Sequence, residues 1–286
     1  MKHFKSTRFI AATSAAGLMA LSLSANALVI DLFTTSQDPI KSTTDGFGVF
    51  SQVEAFDGSI LGDFRNIYVE AVSGADDSAN IGTQMVIGNI QGMNQLNFSN
   101  DAGVTGFGEI LWAGDNPYDG TNLNPEGLGG IDLTQDGALS AFLVETISAD
   151  ANWNFEVIAY TDADTWTRIN FQANEVPSGT GPVTTPIPFS AFTNPALCNT
   201  TDPAPGINSI TCAAGSAPVD LTRLGALLVR LNVGTDGSGA GGTVDIDLRL
   251  GSITTVPEPA TLGLLGMGLL AAGGMLGLRR RNQFSA

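Results

Sequence analysis

The chain has 286 residues, with 28 acidic against 12 basic side chains, a formal charge of −16 and a single histidine. So acidic a protein repels nucleic acid and anionic lipid, which argues against both as partners; it could attract divalent cations, or the charge could serve solubility outside a cell. The one histidine is His3, at the extreme N-terminus, so the body of the chain cannot assemble a Ser-His-Asp or Cys-His apparatus or a histidine-bound metal centre.

Residues 1–27 read as a secretory signal peptide. Lys2, Lys5 and Arg8 precede an apolar stretch at 9–23, and Ala25 and Ala27 occupy the small-x-small cleavage positions. Thr13, Ser14, Ser22 and Ser24 make that stretch short and weakly apolar for a retained membrane helix. Residues 28–255 then form the exported body, long enough for one large domain or two small ones. Its only basic residues are Lys41, Arg65, Arg168, Arg223, Arg230 and Arg249.

The pattern of this body is β throughout. Short runs rich in Val, Ile, Phe, Leu and Thr alternate with Gly, Asn and Asp clusters, and no amphipathic helical run of comparable length interrupts them. Strands are predicted at 28–33, 48–56 and 66–72. A hairpin follows at 84–90 and 95–98, turning through residues 89–92, with 108–113 as its neighbour. Residues 114–130, punctuated by Gly, Asn, Asp and Pro, form a long loop that would cross one end of a sandwich. Later strands are predicted at 138–147, 152–160, 165–171, 221–233 and 243–250, with 161–164 closing a hairpin and a flexible stretch at 234–242. Residues 194–218 read as an irregular insertion. Strands of this length and number, with no helical layer, imply two packed antiparallel sheets. Cys198 and Cys212 are the only cysteines, and in an exported protein they are expected to form a disulfide.

The C-terminal stretch has three parts: Pro257-Glu258-Pro259, an uncharged apolar segment at 260–278, and Arg279, Arg280 and Arg281. As a helix the segment would reach roughly 28 Å, enough to cross a hydrocarbon core, with the arginines held on the cytoplasmic side. Residues 256–281 resemble the PEP-CTERM sorting signal. The resemblance implies recognition and processing by exosortase, transient anchoring in the inner membrane by a single transmembrane helix, and release to the cell surface or a matrix of extracellular polysaccharide. A second, looser resemblance spans residues 131–253. Pro188-Phe189-Ser190-Ala191-Phe192, then Asp220-Leu221-Thr222, then Val244-Asp245-Ile246-Asp247 is similar to the galactose-binding-like jelly rolls found in many carbohydrate-binding modules. It implies the fold more than any ligand.

Strand alternation supplies the residue-level expectation. On 152–160, Trp153, Phe155, Val157 and Ala159 share one face, and Asn154, Glu156, Ile158 and Tyr160 the other. Pairing with 165–171 sets Glu156, Tyr160, Trp166 and Arg168 on a single surface. Aromatic rings stack on sugar C–H faces and charged groups orient hydroxyls, so this mixture suits a glycan platform; it equally suits a solvated sheet face carrying a Glu156–Arg168 ion pair. Asp245 and Asp247 are predicted on one face of the last strand. The jelly-roll resemblance makes Asp245 a candidate ligand for a structural calcium, and surface aspartates that discourage edge pairing explain it as well.

The expectation is therefore an all-β, two-sheet antiparallel jelly-roll-like sandwich between a signal peptide and a C-terminal transmembrane helix. It would bind or build structure rather than catalyse. The rival is a glycan-active enzyme using two carboxylates, with Glu145 and Glu156 as candidates.

Overall fold

The computed structural model describes residues 27–257, apart from 216, 240 and 241. Ala25, Glu258, Pro259, Arg279, Arg280 and Arg281 lie outside those residues, as do the predicted leader and membrane helix.

Among the described residues, fifteen strands build two antiparallel sheets. The first contains β1 (Val29–Asp31), β2 (Gln37–Ser42), β5 (Thr83–Ile90), β6 (Met93–Asn100), β8 (Ala141–Ala149), β11 (Val183–Pro188) and β15 (Asp247–Val256). Its order is β11-β8-β15-β6-β5-β2, with β1 also on β15. The second contains β3 (Gly48–Glu54), β4 (Phe64–Ser73), β7 (Thr105–Trp112), β9 (Trp153–Tyr160), β10 (Trp166–Ala173), β12 (Thr200–Ala204), β13 (Ile207–Cys212) and β14 (Ala226–Leu231), in the order β12-β13-β10-β9-β14-β7-β4-β3. The chain passes repeatedly from one sheet to the other, so most pairings join segments distant in sequence. A short helix α1 (Phe189–Thr193) follows β11 and sets Phe189 and Phe192 edge-on against Phe142, at 4.9 and 5.6 Å between ring centres.

Period-two alternation decides what fills the space between the sheets. Trp153, Phe155, Val157 and Ala159 of β9, Ile169 and Phe171 of β10, and Leu227, Val229 and Leu231 of β14 face Met85, Ile87, Leu96, Phe98, Leu248 and Leu250 of the first sheet in one continuous core. Through this core runs one buried charge pair. Asp31 and Arg65 are both fully buried, with two bonds from the guanidinium to the carboxylate at 2.9 and 3.1 Å. Trp112 Nε1 and the Phe33 N–H also donate to Asp31, while Arg65 donates to Gln37 Oε1 and to the Thr35 carbonyl. Every polar atom of that pair has a partner, which a buried ion pair requires. Its position joins β1 in the first sheet to β4 and β7 in the second.

Several expectations change. The strand at 108–113 belongs to β7, which leaves the β5–β6 hairpin and pairs with β4 and β14 in the opposite sheet. The hairpin itself turns on two residues, Gln91 and Gly92, both at positive φ (56° and 86°), the geometry that matches strand twist. Within the stretch expected to be irregular, β12 and β13 form a hairpin that extends the second sheet, and the Cys198–Cys212 disulfide is present at its base. Asp245 is not in the last strand. It sits before β15 at a φ of 59°, so it does not share a strand face with Asp247, and its carboxylate accepts the Gly103 N–H.

Candidate ligand face

β9 and β10 form the expected hairpin, and the structure gives its register. Tyr160 pairs with Trp166, Ile158 with Arg168 and Glu156 with Asn170. Glu156, Tyr160, Trp166 and Arg168 therefore share the outer face of the second sheet. The Tyr160 and Trp166 ring centres lie 6.5 Å apart, the Arg168 guanidinium lies 5.8 Å from the centre of the Trp166 ring, and Arg168 Nε is 3.9 Å from Glu156 Oε1.

What the sequence reading missed is how much of this face is covered. Glu156 is only 2 % exposed, whereas the Arg168 side chain keeps 34 %. The register explains where the cover lies. Phe50, Tyr68, Glu109, Arg230, Glu156 and Asn170 occupy one row across six adjacent strands, β3 to β10. Arg230 bridges the two carboxylates of that row, at 2.7 Å from Glu109 and 3.3 Å from Glu156. Tyr118, carried in by the long loop, lies over it and donates its hydroxyl to Glu109 at 2.7 Å, while its N–H binds Asn66 Oδ1. That loop therefore covers part of the outer face with its first half, and its second half and the rest of the connection to β8 tuck Leu128, Leu133 and Leu139 into the main core. A second apolar cluster, including Tyr68, Phe107, Leu111, Ile158 and Leu228, fills the space beneath Tyr118.

Residues 234–239, within the stretch predicted as flexible, supply further cover. Asn170 donates to the Gly234 carbonyl and Arg230 to that of Gly237, each at 2.9 Å. Glycine is required here for space as well as conformation. Gly237 has a φ of +78°, and a Cβ there would collide with the Glu156 carboxylate; a Cβ at Gly239 would collide with the Phe107 ring. Glu109 and Arg230 left a signal in the sequence: a lone charge inside an otherwise apolar strand, as in β7 and β14, marks a buried pair.

Electrostatics follow from this enclosure. Burial pushes the Glu109 and Glu156 carboxyls above the ordinary range; Arg230 pulls both back, joined at Glu156 by Arg168. Burial also raises the Tyr118 hydroxyl, with Glu109 reinforcing the effect. The two carboxylates are thus held as partners of one guanidinium. The end of the face at Tyr160, Trp166 and Arg168 remains half-exposed and reachable.

The carboxylates proposed as an enzymatic pair are not brought together. Glu145 lies in β8 of the first sheet, where it accepts the Ser252 N–H at 3.3 Å, while Glu156 is on the outer face of the second. Among the described residues no group of three or more His, Cys, Asp or Glu side chains is arranged to hold a metal ion.

The two ends of the body meet. The Leu28 N–H donates to Thr255 Oγ1 at 3.1 Å and the Thr255 N–H to the Leu28 carbonyl at 2.8 Å. β15 continues to Val256 and stops before Pro257, whose missing N–H suits the end of a paired strand.

Residues 255–281 match the PEP-CTERM protein-sorting motif, so the motif begins on the last two residues of β15. No curated protein matches the chain. Among solved structures, it is similar to the family 11 carbohydrate-binding module of a cellulosomal cellulase of Clostridium thermocellum, at 11 % identity and a TM-score of 0.36, covering 82 % of this chain and 96 % of the module. The same module in complex with a β-1,3-1,4-mixed-linked tetrasaccharide gives 12 % identity and a TM-score of 0.37, covering 82 % and 98 %. An exo-β-agarase gives 10 % and 0.34, over 67 % of this chain and 23 % of the agarase.

Proposed function

We propose that the chain is exported, handed to exosortase by its C-terminal motif and processed there, and that its jelly-roll-like body binds a neutral glycan at the Tyr160–Trp166–Arg168 end of the outer face. The observation that carries the binding site is an aromatic pair and a guanidinium left reachable beside the part of the face that Tyr118 and residues 234–239 cover. Sugar rings present C–H faces that stack on such rings, and a guanidinium donates to hydroxyls. Glu156, being buried, acts from beneath: it positions Arg168 rather than touching ligand. The formal charge of −16 favours an uncharged polysaccharide over an acidic one.

The meeting of Leu28 with Thr255 supports the sorting half of the proposal. A leader and a sorting segment leaving the body at one place would put that pole of the sandwich against the inner membrane, with no linker between β15 and the motif. Binding is tested by native affinity electrophoresis through gels containing neutral or acidic polysaccharides. Retardation by a neutral glycan should be lost in Trp166→Ala and reduced in Tyr160→Ala. A Trp166→Ala protein retarded as strongly as the parent would defeat the site.

A further inference from the structure

A cavity of about 620 Å³ opens on the side of the sandwich opposite the β2–β3 corner. It lies between the inner faces of the sheets, bounded by β8 and β11 on one side and by β9 and β10 on the other. The β12–β13 turn and residues 172–176 close its ends. It is separate from the outer face discussed above.

Its floor is aromatic. Trp153 and Phe155 lie 5.1 Å apart between ring centres, and Phe155 stacks on Phe171 at 4.9 Å. Val144, Val183, Ile187 and two prolines form the facing wall, and the one charged lining residue, Glu175, is at the exposed rim. The decisive observation is Trp153. Its side chain lines the cavity, the residue is only 3 % exposed, and its indole N–H has no hydrogen-bond partner among the described residues. The other buried indole, Trp112, donates to Asp31. A buried donor left without an acceptor is costly, and native structures rarely leave one unpaired.

We propose that this cavity is a binding site for an uncharged, largely apolar small molecule carrying one hydrogen-bond acceptor, a ketone or ester carbonyl, which receives the Trp153 N–H. The volume falls in the range of small-molecule sites, and the wall chemistry matches: mostly apolar surface for bulk, with Thr146, Gln172, Asn174 and Thr185 as the uncharged polar side chains of the lining and the Trp153 N–H as its unpartnered buried donor. A polysaccharide does not fit, because its many hydroxyls would be buried against Val144, Phe155 and Ile187. An added strand from another protein does not fit either, because Pro186 and Pro188 deny the β11 edge the backbone donors that such pairing needs.

Benzophenone tests the assignment directly on the full chain, being neutral, apolar, a carbonyl acceptor and photoreactive. Irradiation followed by peptide mapping should place saturable labelling on the segments holding Val144, Val183 and Ile187. Ala173→Phe adds a ring beside Trp153, its cross-strand partner, and should cut that labelling at least ten-fold. Trp153→Phe keeps the bulk but removes the donor, and should weaken half-saturation about five-fold. Val183→Trp narrows the mouth from an exposed edge position (48 % exposed) and gives the same blocking test without touching the core. Labelling that does not saturate, or that persists unchanged in both Ala173→Phe and Val183→Trp, would overturn the proposal.

Discussion

Replacing Asp31 by Ala probes the device that ties the two sheets together. The substitution leaves Arg65 fully buried with its charge unpaired, and removes the acceptor of both Trp112 Nε1 and the Phe33 N–H. Breaking one partner of a buried ion pair costs about 3–5 kcal/mol. Each orphaned neutral donor adds ~1–3 kcal/mol, less where the site relaxes. The losses overlap because they share one carboxylate, so about 4–6 kcal/mol is the sum to expect, a large part of the ~5–15 kcal/mol available to a typical domain. Urea unfolding followed by tryptophan fluorescence should show a lower midpoint at an unchanged slope. Asp31→Leu combined with Arg65→Met should recover most of the loss, since apolar replacement of both partners is often neutral. A single Asp31→Ala costing under about 1 kcal/mol, or a double variant no better than the single, would refute the reasoning.

Further outcomes can be checked alongside. Replacing Cys198 and Cys212 by Ser should cost on the order of 3 kcal/mol by the chain-entropy argument, read as a lower unfolding midpoint that reductant reproduces in the parent protein. Burial works to raise the Asp101 carboxyl, but the Lys41 ammonium at 2.7 Å and the Gly82 N–H outweigh it and hold it below the ordinary range. A depressed carboxyl contributes its stability above the unfolded-state value near 4 and loses it as pH falls through the folded value, so Asp101→Asn should flatten the acid side of the stability profile. Tyr118→Phe leaves Glu109 short of a donor in a buried row and should destabilise by ~1–3 kcal/mol in thermal or urea unfolding. In a host with a native exosortase, deleting Pro257-Glu258-Pro259 should leave the tail uncut; an unchanged tail length and destination would contradict the sorting proposal.

Local pattern carried the sequence reading where the structure is local. Alternation along 152–160 separated Trp153, Phe155, Val157 and Ala159 from Glu156 and Tyr160, and the short connection at 161–164 marked a hairpin, while the Trp166–Tyr160 register is visible only in the structure. Local pattern could not say which sheet receives a strand, because that is settled by long-range packing; β7 therefore looked like a continuation of the β5–β6 hairpin. Nor could it show that Tyr118 closes over Glu109 and Gly237 over Glu156, since loops rich in Gly, Asn and Asp read as solvent-exposed whether or not they fold back. Asp245 was misplaced for a related reason: Val244-Asp245-Ile246-Asp247 alternates like a strand, while its backbone turns at a left-handed residue.

Trp166 is the most accessible of the three tryptophans, Trp112 and Trp153 being buried. Acrylamide quenching of intrinsic fluorescence, measured with and without neutral polysaccharides, therefore reports on the proposed glycan face. The account predicts that a bound neutral glycan shields Trp166 and lowers quenching, and that Trp166→Phe abolishes the change. Quenching that no neutral polysaccharide alters would contradict it.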